Sequence, residues 1–178
     1  MKIAIDLEGT LVPEYGEFPA ERTQGLARLL FLFSLRQDAR LLLQDLAQAG
    51  HTLTLYTEHP VRVPKLRLWC WLLKLPFQNV VTQERALKVA HKHQIRQQKR
   101  FEKDLKALGL THFGKEPQAV WPPCVGQELL LDDEPRHIAA AWRSGVRGIL
   151  VTNRDDDWTA GIRAACLAGE SAETVVII

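Results

Sequence analysis

The chain has 178 residues, of which 46% are hydrophobic and 25% charged, values ordinary for a soluble globular protein. A length in this range favours one domain, here residues 1–178, able to bury roughly 70% of the surface its unfolded form exposes. A formal charge of +2 singles out no class of partner, and three cysteines with no CxxC pair (Cys70, Cys124, Cys166) support neither a disulfide framework nor a zinc site.

In chain order, Lys2 to Ile5 is a short apolar run that predicts a first buried strand. Pro13 to Pro19 is a turn-rich loop. Gln37 to Ala49 repeats Leu41, Leu42 and Leu46 at helical spacing and stops at Gly50, a helix terminator. Thr52 to Tyr56 predicts a second strand ending at Thr57, Lys65 to Lys74 a helix, and Asn79 to Thr82 a third strand. Gln83 to Leu108 predicts a long helix, with or without a break. Leu110 to Gly126 holds three prolines and little periodicity, so an irregular insertion is expected over about 110–127. Glu128 to Leu131 is a fourth strand, Pro135 to Arg143 a helix, Gly148 to Val151 a fifth strand and Trp158 to Ala168 a final helix. Strands alternating with helices predict an α/β fold: a Rossmann-like three-layer sandwich around a central parallel sheet.

Two strands end in acids, Asp6-x-Glu8 and Asp132-Asp133, and another ends in the hydroxyl of Thr57. On a strand, residues i and i+2 share a side, and Gly9 lets the backbone turn away directly after Asp6 and Glu8. Ligands of open α/β sheets gather at the carboxyl ends of strands. If the three strands are neighbours, their carboxylates repel one another unless a cation is present. An all-oxygen donor set favours a hard ion, Mg²⁺ first.

These residues resemble the haloacid dehalogenase superfamily. Asp6-Leu7-Glu8-Gly9-Thr10-Leu11 is similar to its first motif, DxDGT[LV], and Leu53-Thr54-Leu55-Tyr56-Thr57 to its second. Glu128-Leu129-Leu130-Leu131-Asp132-Asp133-Glu134-Pro135 resembles its fourth. Phe101-Glu102-Lys103-Asp104-Leu105-Lys106-Ala107-Leu108-Gly109 is similar to the KDLxxLG segment of the C-terminal-domain phosphatase branch, and Asp132-Asp133-Glu134-Pro135-Arg136-His137-Ile138 to the DDExRNI segment of the magnesium-dependent phosphatases. The resemblance implies a Mg²⁺-dependent phosphomonoester hydrolase. Asp6 would attack phosphorus and form an aspartyl-phosphate, and Glu8 would act as general acid, then base. Asp6, the Glu8 backbone carbonyl, Asp132 and Asp133 would serve the metal. Thr57 and Lys103 would bind the phosphoryl group. Lys115, in Gly114-Lys115-Glu116-Pro117, resembles the other common form of the third motif, GKPxP, and is the second candidate for that lysine.

The family has Asp where this chain has Glu8. A run DLEGVLVPE, similar to Asp6 to Glu14, occurs in relatives resembling phosphoserine phosphatases that also transfer phosphate to homoserine, so transfer to an alcohol is the alternative reaction. A weakly active binding domain of the same fold is a further alternative. Those relatives carry a helical cap between motifs one and two. Only 45 residues separate Leu11 from Thr57 here, so a minimal or absent cap and an open site are expected, with oligomerisation possible.

Other features have plainer readings. Asp155-Asp156-Asp157 caps the last helix, with Asp157 at its N-terminus. His91-x-His93 lacks the i, i+4 spacing of a helical metal site. The basic run Arg85 to Lys106 is a solvated helix face, and the alternative is a track for an anionic partner such as nucleic acid. Trp69 and Trp71 cannot share one helical face, so one belongs to the core and one to the surface. No leader precedes the first strand, and the most apolar segment, Leu26 to Leu35, is too short to cross a membrane. A cytoplasmic location is expected.

Overall fold

Strands that are apolar on both sides, such as Leu129-Leu130-Leu131, need cover above and below, and the structure supplies it. The computed structural model describes residues 1–13, 18–21, 33–58, 60–107, 122–152, 157–167 and 176–177. The described elements are β1 (Lys2–Asp6), α1 (Ala39–Gln48), β2 (Thr52–Thr57), α2 (Val63–Leu72), β3 (Asn79–Thr82), α3 (Gln83–Ala107), a 3-10 turn (Pro122–Cys124), β4 (Leu129–Asp132), α4 (Pro135–Arg143), β5 (Arg147–Leu150), α5 (Trp158–Leu167) and β6 (Val176–Ile177). The strands form one parallel sheet in the order β3-β2-β1-β4-β5-β6.

The fold is α/β with a central parallel sheet and helices on both faces. Alternation along each strand divides the core in two. Ile3, Ile5, Leu129 and Leu131 face Leu42 and Leu46 of α1, Trp69 of α2 and Ile162 of α5. Ala4 and Leu130 face Ile138 and Ala141 of α4. The chain moves outward from β1 through β2 to β3 on one side, and from β4 through β5 to β6 on the other. The reversal falls between β1 and β4, the place where an open α/β sheet leaves a crevice at its carboxyl edge.

Local sequence explains the boundaries. α1 stops before Gly50, which takes φ +81°, a conformation that costs glycine little. The Asp157 carboxylate accepts the Ala160 N–H at 3.2 Å, and so caps α5 as its position predicts. Asp155 and Asp156 lie outside the described residues. Trp69 is fully buried, with Phe33 edge-on at 6.3 Å, while Trp71 is 73% exposed. The three cysteines are free and buried, and burial pushes their thiols up, to about 12 at Cys70 and Cys124 and about 11 at Cys166.

The structure adds detail to these expectations. β6 has no counterpart in the sequence reading; its two residues pair with Ile149 and Leu150, a ladder too short to leave a period. Of the insertion expected over about 110–127, residues 110–121 lie outside the described residues; toward its end Pro122–Cys124 forms the 3-10 turn, and Cys124 packs against the core around Ala4. The long helix expected from Gln83 is present as α3, which runs unbroken from Gln83 to Ala107. The segment that would carry a cap includes residues 14–17 and 22–32, which lie outside the described residues. Its two ends are joined by an antiparallel bridge between Ala20 and Arg36, with Glu21 N–H donating to the Leu35 carbonyl at 2.7 Å. No helix among the described residues is long and apolar enough to cross a membrane.

Candidate active site

The register brings the acids together. Ile5 pairs with Leu131, so Asp6 and Asp132 follow at the same level on adjacent strands, and their parity turns both toward the α4 side of the sheet. Directly after Asp6 the chain folds back: Gly9 N–H donates to the Val12 carbonyl at 2.8 Å and Leu11 N–H to the Leu7 carbonyl at 3.0 Å. Gly9 sits at φ +71°, and any Cβ there would overlap the Asp133 carboxylate. The glycine therefore serves both the turn and the close approach of Asp133. Thr10, fully buried, donates its hydroxyl to Asp133 Oδ1 at 3.2 Å.

One ligand oxygen each from Asp6, Asp132 and Asp133 can be chosen so that all lie within 4.8 Å of one another. Asp132 is fully buried and Asp6 nearly so. Burial, together with the charges of Asp132, Glu8 and Asp133, raises the Asp6 carboxyl well above its ordinary range, against a lowering hydrogen bond from the Leu7 backbone. Burial and Asp132 push Asp133 up to about 6, against the hydrogen bonds it accepts from its own backbone and from Thr10. These are crowded carboxylates of the kind that a bound cation relieves.

The cluster opens into a cleft of about 290 Å³ whose walls add Glu8, Glu58, Glu134, Arg136 and His137. Thr57 is fully buried, and its hydroxyl lies 2.8 and 2.7 Å from the two carboxylate oxygens of Glu8. The longer glutamate side chain thus reaches across from β1 to the tip of β2. His137, on the first turn of α4, places Nδ1 3.1 Å from both oxygens of Asp132 and Nε2 3.8 Å from Glu58. Tyr56, level with Asp6 on β2, donates its hydroxyl to Glu58 at 2.9 Å. Burial works against charging His137, but the Asp132 hydrogen bond and the charges of Asp132 and Glu58 outweigh it and raise its pKa. A polar chain therefore runs Tyr56, Glu58, His137, Asp132.

Of the residues singled out from sequence, Asp6, Glu8, Thr57, Asp132 and Asp133 meet at this edge of the sheet. Lys103 does not line the cleft; it is exposed on α3. Lys115 lies outside the described residues. Thr10, Glu58 and His137 went unassigned in the sequence reading. Their signals were present: Thr10 and His137 sit inside the quoted motifs, and Glu58 directly follows Thr57.

No family model matches the chain, and no curated protein matches it significantly. A solved structure does. The chain is similar to one described as D,D-heptose 1.7-bisphosphate phosphatase from B. bronchiseptica complexed with magnesium and phosphate, at 12% identity and TM-score 0.47, covering 100% of this chain and 92% of that one. At that level the likeness assigns no activity to this chain.

Proposed function

We propose that the protein is a single-domain phosphomonoester hydrolase of the haloacid dehalogenase type, using Asp6 as nucleophile and Mg²⁺ as cofactor. The observation that carries the reading is the convergence of Asp6, Asp132 and Asp133 at the topological reversal of the sheet, with Glu8 and Thr57 beside them.

The donor set fits a hard divalent ion: three carboxylates, two of them almost without solvent, and no thiolate among the residues lining the cleft. Asp6, Asp132, Asp133 and the Glu8 carbonyl would hold it. When bound, it supplies charge neutralisation for the phosphoryl oxygens and keeps the acids ionised. The rest belongs to the chain. Asp6 attacks phosphorus in line and the P–O bond to the leaving group breaks, leaving an aspartyl-phosphate. Glu8 gives its proton to the departing alkoxide, then takes one from the water that hydrolyses the acyl phosphate. Thr57, released from Glu8, donates to a phosphoryl oxygen. His137 and Glu134 N–H hold Asp132 in place, the backbone donor at 2.9 Å. A lysine neutralises Asp6 and the phosphate. The exposure of Lys103 weighs for Lys115, and single Gln substitutions decide: only the true one abolishes turnover.

The test is hydrolysis of an aryl phosphate by the purified protein with and without Mg²⁺. We expect activity that requires the ion and falls by on the order of a thousandfold or more in Asp6→Asn. Absence of turnover in wild type at every pH tried, or an unimpaired Asp6→Asn, overturns the proposal. New phosphoesters formed on adding alcohols would assign the transferase reaction instead.

A further inference from the structure

α3 is an anomaly among the elements. It begins at the carboxyl edge of the sheet, next to Thr82, which pairs with Thr57. It touches the body through β3 and the 3-10 turn. Among its described side chains only Ala86 is buried. A helix this exposed has given up most of the apolar contact that usually stabilises one.

Its charge is not spread evenly. α3 carries eight Lys and Arg against three Asp and Glu, whereas the whole chain counts 23 against 21, so the remainder is net acidic. The cations also recur in register. Arg85, Lys88, Lys92, Arg96, Lys99 and Lys103 follow one another at steps of three or four residues, and all six are exposed. At ~3.6 residues per turn they fall within an arc of about 80°, a single stripe about 27 Å long. Ala86 lies on the other side, against the body. The stripe therefore faces away from the fold, where no described acid except Glu84, paired with Lys88 at 2.6 Å, offsets it.

Like charges at i, i+3 and i, i+4 weaken an isolated helix. In water, solvent and salt screen such a row; a linear row of negative charge relieves the repulsion further. We propose that this face of α3 docks the phosphodiester backbone of nucleic acid. The complementarity is one of repeat: a cation about every 5 Å of helix against a polyanion with regularly spaced phosphates. A membrane surface fits less well: a helix lying on lipid sinks one apolar face, whereas the exposed Leu87, Val89 and Ile95 are spread around α3 and share no single stripe. The partner is recognised by charge and shape, not by base sequence.

The experiment is fluorescence anisotropy of a labelled DNA oligonucleotide, single-stranded and duplex, titrated with the full chain at several salt concentrations. Phosphatidylserine vesicles run in parallel. With five cations engaged, duplex affinity is expected to fall by roughly 500-fold between about 50 and 200 mM salt. The triple variant Lys92→Gln, Arg96→Gln, Lys99→Gln changes only exposed side chains and leaves Lys103 intact. It should bind on the order of tenfold or more weaker, with the log–log salt slope reduced by about 2.7. No binding at low salt, binding unaffected by the triple variant, or charge-dependent binding to vesicles but not to DNA would each overturn the proposal. Because binding is read without turnover, its failure is distinct from failure of the phosphatase assignment.

Discussion

Arg36 shows what single side chains do in this protein. It is 2% exposed, its guanidinium carbon lies 4.3 Å from the ring centres of both Phe18 and Trp158, and Nη2 donates to the Thr152 carbonyl at 3.0 Å. Its backbone N–H also holds the Leu11 carbonyl at 2.7 Å, tying the first acidic turn to the segment before α1. Burial lowers its pKa to about 10, still far above neutrality, and the charge of Asp133 works against the fall. A charge this dry needs its two rings and its carbonyl. Arg36→Lys, which keeps charge but loses the planar stack, should destabilise the fold by about 2 kcal/mol, read by denaturant titration. At Gly9, alanine meets both a left-handed backbone and the Asp133 carboxylate. Gly9→Ala should lower the melting temperature and abolish turnover together, because the strained turn and the displaced acid are one defect.

Packing between α4 and β5 sets where Asp132 and His137 meet. Gly148 on β5 lies under Ile138, the neighbour of His137, and a Cβ added there would stand 2.8 Å from Ile138 Cγ2. Gly148→Ala forces the Ile138 side chain to shift and strains the packing of α4 on the sheet. We expect a loss of about 1–3 kcal/mol, a fall in melting temperature of about 3–10 °C, and a lower kcat with KM little changed. Much of this arrangement was legible beforehand, and the reason is physical. Apolar runs ending in acids marked β1 and β4, and the Gly50 stop marked α1, because burial and turn chemistry act on neighbours in sequence. The order of the strands, the contact between His137 and Asp132 and the sandwich around Arg36 were not legible. They join residues far apart in the chain, or depend on which way a helix start is turned. β6 was missed for another reason: two residues carry no period. The reach of Glu8 to Thr57 was hidden too, since it follows from one extra methylene and not from spacing.

The acid-lined cleft makes the stability of the entire fold depend on pH and on cations. With raised folded-state pKa values, Asp6 and Asp133 bind protons more tightly in the native chain than in the unfolded one. Such groups favour folding at low pH, and the benefit is lost as pH rises from the ordinary carboxylate value through the folded one, for Asp133 about 6. His137, also raised, acts in the same direction: its contribution is present below its ordinary pKa and disappears as it deprotonates above it. In chelator, the melting temperature should therefore fall as pH is raised from about 5 to about 8, and a flat or rising profile would contradict the assignment. Asp6→Asn, which removes one of the repelling charges, should melt higher than wild type in chelator at neutral pH.

The most direct measurement is a Mg²⁺ titration followed by melting temperature near neutral pH, on wild type and on Asp132→Asn side by side. Binding to the native state alone must stabilise it by mass action. The account predicts a saturable rise in wild type and little or none in the variant. No rise in wild type, or the same rise in both, would mean that the tips of β1 and β4 do not hold an ion.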